Sequence, residues 1–147
     1  METRKLSNFR WGRRFRLPFF LPVTLLLAAT PETWTDPETH LTWATADNGS
    51  GVTYRQAEYY CGHLQLAGSN DWALPTVEEL RGLFGGQANS HGYHVNGPLN
   101  LTGWAWSSSP GKQSGEMWVL DFGDGGRASV VMGDAGPNRA LCVRRGR

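Results

Sequence analysis

The chain has no apolar run long enough to cross a bilayer. Its longest, residues 17–29, holds thirteen residues, including two prolines and one threonine, whereas a spanning helix needs about 20. Sixteen residues with six Lys/Arg and one acid precede it. A basic region followed by a short apolar run and small residues is typical of an export signal. We therefore predict an export signal over residues 1–30, a mature domain over residues 31–147 and no stable membrane span after cleavage.

Cysteine is also scarce, since the 147 residues include two, Cys61 and Cys142. In an exported protein, two cysteines without a third indicate one disulfide. Closing a loop of this length would stabilise the fold by about 4–5 kcal/mol in the chain-entropy treatment. The alternative is a pair of reduced, buried thiols. A bridge would leave no spare thiol for cysteine chemistry.

The mature domain lacks the positive charge of a nucleic-acid binder. The whole chain is +1, but residues 31–147 carry eight Lys/Arg against twelve Asp/Glu, a net charge of −4. We therefore predict no nucleic-acid partner. The exception is a C-terminal group of arginines that could hold an acidic glycan: Arg139, Arg144, Arg145 and Arg147. The alternative is that Arg144 and Arg145 lie on opposite faces of the last strand, one in an ion pair and one solvated.

Catalytic and metal-binding motifs are missing as well. No Ser/His/Asp constellation can be assembled from local motifs, and we predict no enzyme activity, no cofactor and no metal. Two alternatives stay open. His91 and His94 could supply two transition-metal ligands, and Asp121, Asp124 and Asp134 could supply oxygens to calcium. The stretch "DFGDGG" that contains Asp121 and Asp124 suits an ordinary hairpin turn equally well.

The sequence does contain two helix-start signals. Residues 53–56 (Thr-Tyr-Arg-Gln) and 76–79 (Thr-Val-Glu-Glu) both have the form of a capping box. Glu78 and Glu79 are therefore predicted to be helix-start residues rather than catalysts, since acids are also favoured at this end of the helix dipole. Two apolar stripes follow, Ala57, Tyr60, Cys61 and Leu64 up to a stop at Gly68, and Val77, Leu80, Leu83 and Phe84 up to Gly85-Gly86.

Short strand patterns surround the two helices. Residues 34–43 indicate strand, Asp-Pro turn and strand, and four further strands are predicted over residues 104–108, 116–122, 128–132 and 140–145. Between helices and strands, residues 85–103 form a long Gly/Asn/His-rich loop of the kind that is often functional. The predicted class is α+β, with two short helices packed on small antiparallel sheets in a loop-rich fold.

The order of these motifs resembles the DUF1566 family, also called the Lcl C-terminal domain after a bacterial collagen-like adhesin. The pieces that carry the resemblance span residues 34–145: "WTDPETHLTW", "TYRQAEYYCGHL", "DWALPTVEEL", "WAWSSS", "WVLDFGDG" and "LCVRR". The "LPTxxEL" element is similar to one in formylglycine-generating enzymes, which implies a C-type-lectin-like fold. In such folds a helix cysteine pairs with one in the last strand, as Cys61 and Cys142 would.

Two positions depart from the family pattern, and two motifs of related lectins are absent. Ala73 stands where the family usually has Arg, and His40 where it tends to have Gly. The Glu-Pro-Asn and Trp-Asn-Asp motifs of calcium-dependent sugar-binding lectins are missing. The resemblance nevertheless implies adhesion, and we predict an exported, non-catalytic module that binds a cell-surface or extracellular glycan. The protein would be periplasmic, secreted or on the cell surface.

The predicted ligand contacts are three tryptophans and two arginines, namely Trp104, Trp106, Trp118, Arg127 and Arg139. Sugar C–H faces stack on aromatic rings, and residues two apart on a strand share a face. Trp118 is expected beside the first two, with loop 85–103 as a wall. For each Trp the alternative is core packing. The alternative functions are a protein-binding scaffold, which includes the variable receptor of a diversity-generating retroelement, and a structural subunit of a surface assembly.

Overall fold

The computed structural model describes residues 29–146, so residues 1–28 of the predicted export signal lie outside the described part. The elements in chain order are β1 (Thr33–Thr35), β2 (Thr42–Ala44), α1 (Tyr54–His63), α2 (Val77–Leu83), β3 (Phe84–Ala88), β4 (His94–Val95), β5 (Trp104–Pro110), β6 (Glu116–Leu120), β7 (Arg127–Val131), β8 (Asn138–Arg139) and β9 (Val143–Arg144). The predicted α+β, loop-rich class is confirmed. A C-type-lectin-like fold is consistent with it and stays a prediction.

Both helices begin at the predicted capping boxes. The Thr53 hydroxyl accepts from the Gln56 amide, and the Gln56 side chain accepts from the Thr53 amide. Thr76 and Glu79 make the same exchange, at 3.2 and 2.8 Å. Each threonine therefore satisfies an amide that would otherwise lack a partner at the helix start.

One helix end differs from the prediction. Helix α1 ends at His63 rather than at Gly68, whereas α2 ends as predicted, at Leu83 with Phe84 as its C-cap and the Gly pair directly after it. Gly85 and Gly86, at φ of 147° and 72°, belong to strand β3. They give the strand a backbone that side chains rarely adopt, so these glycines follow the end of a helix and also shape a strand.

The four-stranded sheet has the order β7-β6-β5-β8, and its last pair is parallel. The strand predicted over residues 140–145 is too long, because within this segment only Val143–Arg144 form a strand, β9, while β8 lies just before it at Asn138–Arg139. Strand β9 joins β2 in a separate three-stranded sheet with β1. The backbone between β8 and β9 bonds to other partners: the Ala140 amide donates to Asn48 Oδ1, and the Cys142 carbonyl accepts from the Ala44 amide.

The predicted long loop over residues 85–103 contains a hairpin, formed by β3 and β4, with Phe84 opposite Val95. Its remainder is anchored by apolar side chains, since Leu99 and Leu101 are both buried. The composition indicated a loop, but the segment contains a mostly exposed hairpin and contributes Val95, Leu99 and Leu101 to the core.

Two hydrophobic clusters fill the interior. One includes Trp43, Leu80, Leu83, Leu101, Ala105, Leu120, Phe122, Leu141 and Val143. The other includes Tyr54, Ala57, Cys61, Trp72, Leu74, Trp106, Met117, Val119 and Cys142. The predicted disulfide is confirmed inside the second cluster, where Cys61 of α1 bonds Cys142 with a Cα–Cα distance of 5.4 Å. The inward stripe of α1 is partly wrong, because Tyr60 is 37% exposed and Tyr54 is buried instead.

Candidate functional site

The three candidate tryptophans do not share one face of the sheet. Strand register places Trp106 opposite Val119 and Ala105 opposite Leu120. Directly opposite residues share a face of the sheet, so Val119 lies on the face of Trp106. Because side chains alternate along a strand, the neighbouring Trp118 lies on the other face. The expectation that Trp118 sits beside the other two is therefore wrong.

Trp106 is a core residue. Its side chain is 0% exposed, and its indole N–H donates to the Val52 carbonyl at 2.7 Å. The ring of Tyr54 packs edge-on against it, with centroids 5.9 Å apart. Every part of Trp106 is thus committed to protein contacts, and the core alternative applies to it rather than the ligand role.

Trp118 is half-buried and has two cations close to its ring. The Arg127 guanidinium carbon is 4.4 Å from its ring centroid, and Lys112 Nζ is 5.9 Å away. Neither cation belongs to an ion pair of the described residues. Glu116, two residues before Trp118 on the same strand face, accepts a hydrogen bond from the Ser129 hydroxyl. Arg127 therefore holds its place by contact with an aromatic ring.

Arg127 and Trp104 line one recess beside the turn that joins β6 to β7. This turn recess has a volume of about 140 Å³ and is lined by Trp104, Asp121, Asp124, Gly126, Arg127 and Ala128. Trp104 comes from the start of β5 and Arg127 from the start of β7. Two of the predicted ligand residues are thus brought together with two carboxylates.

The carboxylates of the turn recess also build the turn. Asp121 Oδ1 accepts from the Gly123 amide and Asp124 Oδ1 accepts from the Gly126 amide, both at 2.7 Å. Such Asx turns are local and leave the second oxygen of each carboxylate without a hydrogen bond from the described residues. Each aspartate can therefore accept a hydroxyl from a ligand.

The residues considered as metal ligands do not form one cluster. Within residues 29–146, no three or more His, Cys, Asp or Glu side chains lie close enough together to hold a metal ion. Asp134 is in a different turn from Asp121 and Asp124, where its amide donates to Val131. His94 Nδ1 donates to the Gly86 carbonyl at 3.0 Å.

The β3–β4 hairpin packs against the β6–β7 turn that forms the turn recess. The His94 amide donates to the Phe122 carbonyl at 2.7 Å. Gly125, at φ 78°, lies against the ring of Phe84, and a Cβ there would be 2.7 Å from a ring carbon. The predicted wall from residues 85–103 thus borders the β6–β7 turn, although as a hairpin rather than a loop.

Arg139 lies outside the turn recess. Its Nε donates to the Thr102 hydroxyl at 3.0 Å, and Nη2 donates to the Thr102 carbonyl. The Thr102 hydroxyl and amide in turn donate to the buried Asp47 carboxylate. This series of hydrogen bonds connects β8 to the segment before β5, so Arg139 has a structural role.

The two arginines near the C-terminus both form ion pairs. Arg144 pairs with Asp71 and lies 5.7 Å from the ring centroid of Trp72, while Arg145 pairs with Glu79 through Nε and Nη2. The alternative in which one of them is only solvated is wrong. Glu79 thus combines a capping box with an ion pair, which supports its predicted structural role.

The pKa of Glu79 reflects these contacts. Burial raises it, but hydrogen bonds from the Arg145 guanidinium and the Thr76 amide outweigh burial. The pKa therefore lies below the ordinary glutamate value, and the carboxylate stays ionised. A proton-transfer catalyst at neutral pH would need the opposite shift.

A larger surface was missed by sequence reasoning. The α1 groove, of about 600 Å³, runs along the solvent side of that helix and is lined by Val52, Arg55, Gln56, Tyr59, Tyr60, His63, Leu64 and Gln65. Tyr59 is 65% exposed and stacks on His63, with ring centroids 3.8 Å apart. The signal was present in the sequence, because Tyr59 falls off the predicted buried stripe.

The family model described as the Lcl C-terminal domain matches residues 32–144. No curated protein matches the chain. Among the described residues, no helix is both long and apolar enough to cross a bilayer.

Proposed function

Since the chain belongs to the Lcl C-terminal domain family, we propose that it is an exported, non-catalytic module that binds a glycan in the turn recess. The observation that carries the proposal is the meeting of Trp104 and Arg127 with Asp121 and Asp124 around one concave surface. An indole offers an apolar face to sugar C–H groups. Carboxylates and a guanidinium offer acceptors and donors to sugar hydroxyls.

The turn recess suits one sugar unit rather than an extended chain. Its volume is about 140 Å³, and its polar groups come from a single tight turn. Arg127 is held by Trp118, so its donors are oriented before a ligand arrives. A side chain ordered in advance loses less conformational entropy on binding. The disulfide fits an exported protein, because such bonds persist in oxidising compartments.

A glycan array with the purified protein tests this proposal. Binding to one glycan class is expected, and Arg127→Gln and Asp124→Asn should each weaken it about tenfold, the loss typical of one charged hydrogen bond. Arg55→Gln removes an exposed arginine of α1 and serves as the control. If both recess variants bind like the wild type while folded, glycan binding at this recess is wrong.

The second candidate function is a protein-binding scaffold, favoured by the α1 groove. Tyr59 and Tyr60 are two of the four large apolar side chains exposed in the described residues. Exposed aromatics grouped in a groove are typical of protein interfaces. Cross-linking on live cells, with a photoreactive residue at Tyr59, should capture a protein partner that Tyr60→Ser loses. The variable-receptor and structural-subunit alternatives rest on the sequence alone.

A further inference from the structure

A third concave surface lies on the opposite side of α1 from the α1 groove. This side cleft, of about 300 Å³, is formed between α1 and residues 72–74. Its floor is apolar and consists of the buried Tyr54, Trp72 and Leu74. Glu58 and Arg145 stand at its rim. An apolar floor with a few polar groups is the usual form of a binding pocket.

The two rim charges differ in how firmly they are paired. Arg145 is held by both oxygens of Glu79 and by the Leu74 carbonyl. Glu58 has an exposed contact with Arg55 at 3.4 Å and a long hydrogen bond from the Tyr54 hydroxyl, also 3.4 Å. Exposed pairs of this kind contribute about 0–1 kcal/mol. The rim charge that is available to a ligand is therefore the negative one.

Two features keep the side cleft open. Gly62, the penultimate residue of α1, lines it without a side chain, and a Cβ built there meets no atom within 4 Å. Ala73 on the opposite wall is also small.

Burial, and then the Glu58 carboxylate, raise the pKa of Tyr54, so its hydroxyl remains a donor toward Glu58.

We propose that the side cleft binds an arginine side chain of a partner protein, with the guanidinium on Glu58 and the aliphatic stem over the apolar floor. Arginine fits better than lysine because its planar guanidinium can bond a carboxylate at two points and pack on aromatic rings. An acidic side chain would be repelled by Glu58, and the other charge at the rim, Arg145, is already paired with Glu79. The side cleft and the turn recess share no lining residue, so this inference does not depend on glycan binding.

The test is a titration of the purified protein with a five-residue blocked peptide, Gly-Gly-Arg-Gly-Gly, followed by nuclear magnetic resonance. The expected result is a saturable shift of the Trp72 indole N–H. The same peptide with citrulline in place of arginine keeps the shape and removes the charge, and should bind about tenfold more weakly. Glu58→Gln should weaken the arginine peptide by a similar factor.

A matched pair of glycine variants tests the location. Gly62→Leu should fill the side cleft and abolish the shift, because the side chain enters open space at the wall. Gly82 is likewise penultimate in its helix, α2, and also has no atom within 4 Å of a built Cβ, so Gly82→Leu should leave binding unchanged.

Three results would overturn the proposal: equal binding of the citrulline peptide, unchanged binding to a folded Gly62→Leu protein, or no saturable shift of Trp72. Arg127→Gln should bind the arginine peptide normally. That variant separates a failure of the side cleft from a failure of the turn recess.

Discussion

The guanidinium of Arg127 packs on the indole of Trp118, 4.4 Å from its centroid, on the sheet face opposite to Trp106. The contact crosses from β7 to β6 and needs no carboxylate. It joins a residue at the edge of the turn recess to a ring that is itself half-buried, so the position of the guanidinium is set by the sheet.

The first prediction is that Arg127 and Trp118 are energetically coupled. A double-mutant cycle with Arg127→Ala and Trp118→Leu, measured by urea unfolding, should give a coupling of about 0.5–1 kcal/mol, as for exposed cation–π pairs. Lys112, which lies farther from the same ring at 5.9 Å, provides the matched cycle and should couple less. Equal coupling for the two cations would show that the stacking geometry has no effect.

The second prediction concerns the disulfide. The Cys61→Ala/Cys142→Ala protein should lose about 4 kcal/mol of unfolding free energy, because the bridge closes a separation of 81 residues. Mass spectrometry of a non-reduced digest should show one peptide that joins the two cysteines. If both cysteines of the native exported protein can be alkylated without reductant, the bridge and the inference of export both fail.

Local signals were predictable from the sequence, and long-range ones were not. The Thr53 and Thr76 capping boxes depend on residues within one helical turn, and both are present. The side of the sheet taken by Trp118 depends on the register of β5 with β6, which pairs Trp106 with Val119. A register one residue different would place Trp118 on the face of Trp106, and the alternation of residues within each strand does not reveal which register forms.

The glycines show the same limit. Gly85 and Gly86 follow an apolar helical stripe, and a glycine in that place commonly ends a helix. They follow the end of α2 here, and their positive φ values also serve a bulged strand that places Phe84 against the β6–β7 turn. The second use is set by the hairpin partner, β4, which lies outside the helical stripe at His94–Val95. The turn recess therefore depends on contacts that spacing in the sequence does not reveal.

The third prediction is a pH dependence from Glu79. A carboxyl group whose folded pKa is lowered stabilises the protein above its unfolded pKa, and this contribution is lost as the pH falls through the folded value. The unfolding free energy of wild type should exceed that of Glu79→Gln by about 1 kcal/mol at neutral pH, and the gap should close below the ordinary value of 4.5.

Two variants control the Glu79 experiment. Arg145→Gln removes the ion-pair partner and should reduce the same gap, since Arg145 is the main cause of the lowering. Glu78→Gln removes the adjacent carboxylate, which is outside the capping box, and should cost less than Glu79→Gln at neutral pH. A gap that persists unchanged at low pH would mean that the charge of Glu79 does not stabilise the fold.

The fourth prediction connects the β3–β4 hairpin to ligand binding. Gly125→Ala should lower the unfolding free energy by about 1–3 kcal/mol, because φ is 78° there and the new Cβ would lie 2.7 Å from the Phe84 ring. The double variant Gly125→Ala/Phe84→Ala removes the clash but keeps the unfavourable φ, so it should recover part of the loss. Gly133→Ala, where a Cβ meets nothing within 4 Å, is the control and should be nearly neutral.

If the turn recess binds a glycan, Gly125→Ala should also weaken that binding, since the displaced turn carries Asp121 and Asp124. Unchanged glycan affinity in a destabilised Gly125→Ala protein would place the site elsewhere.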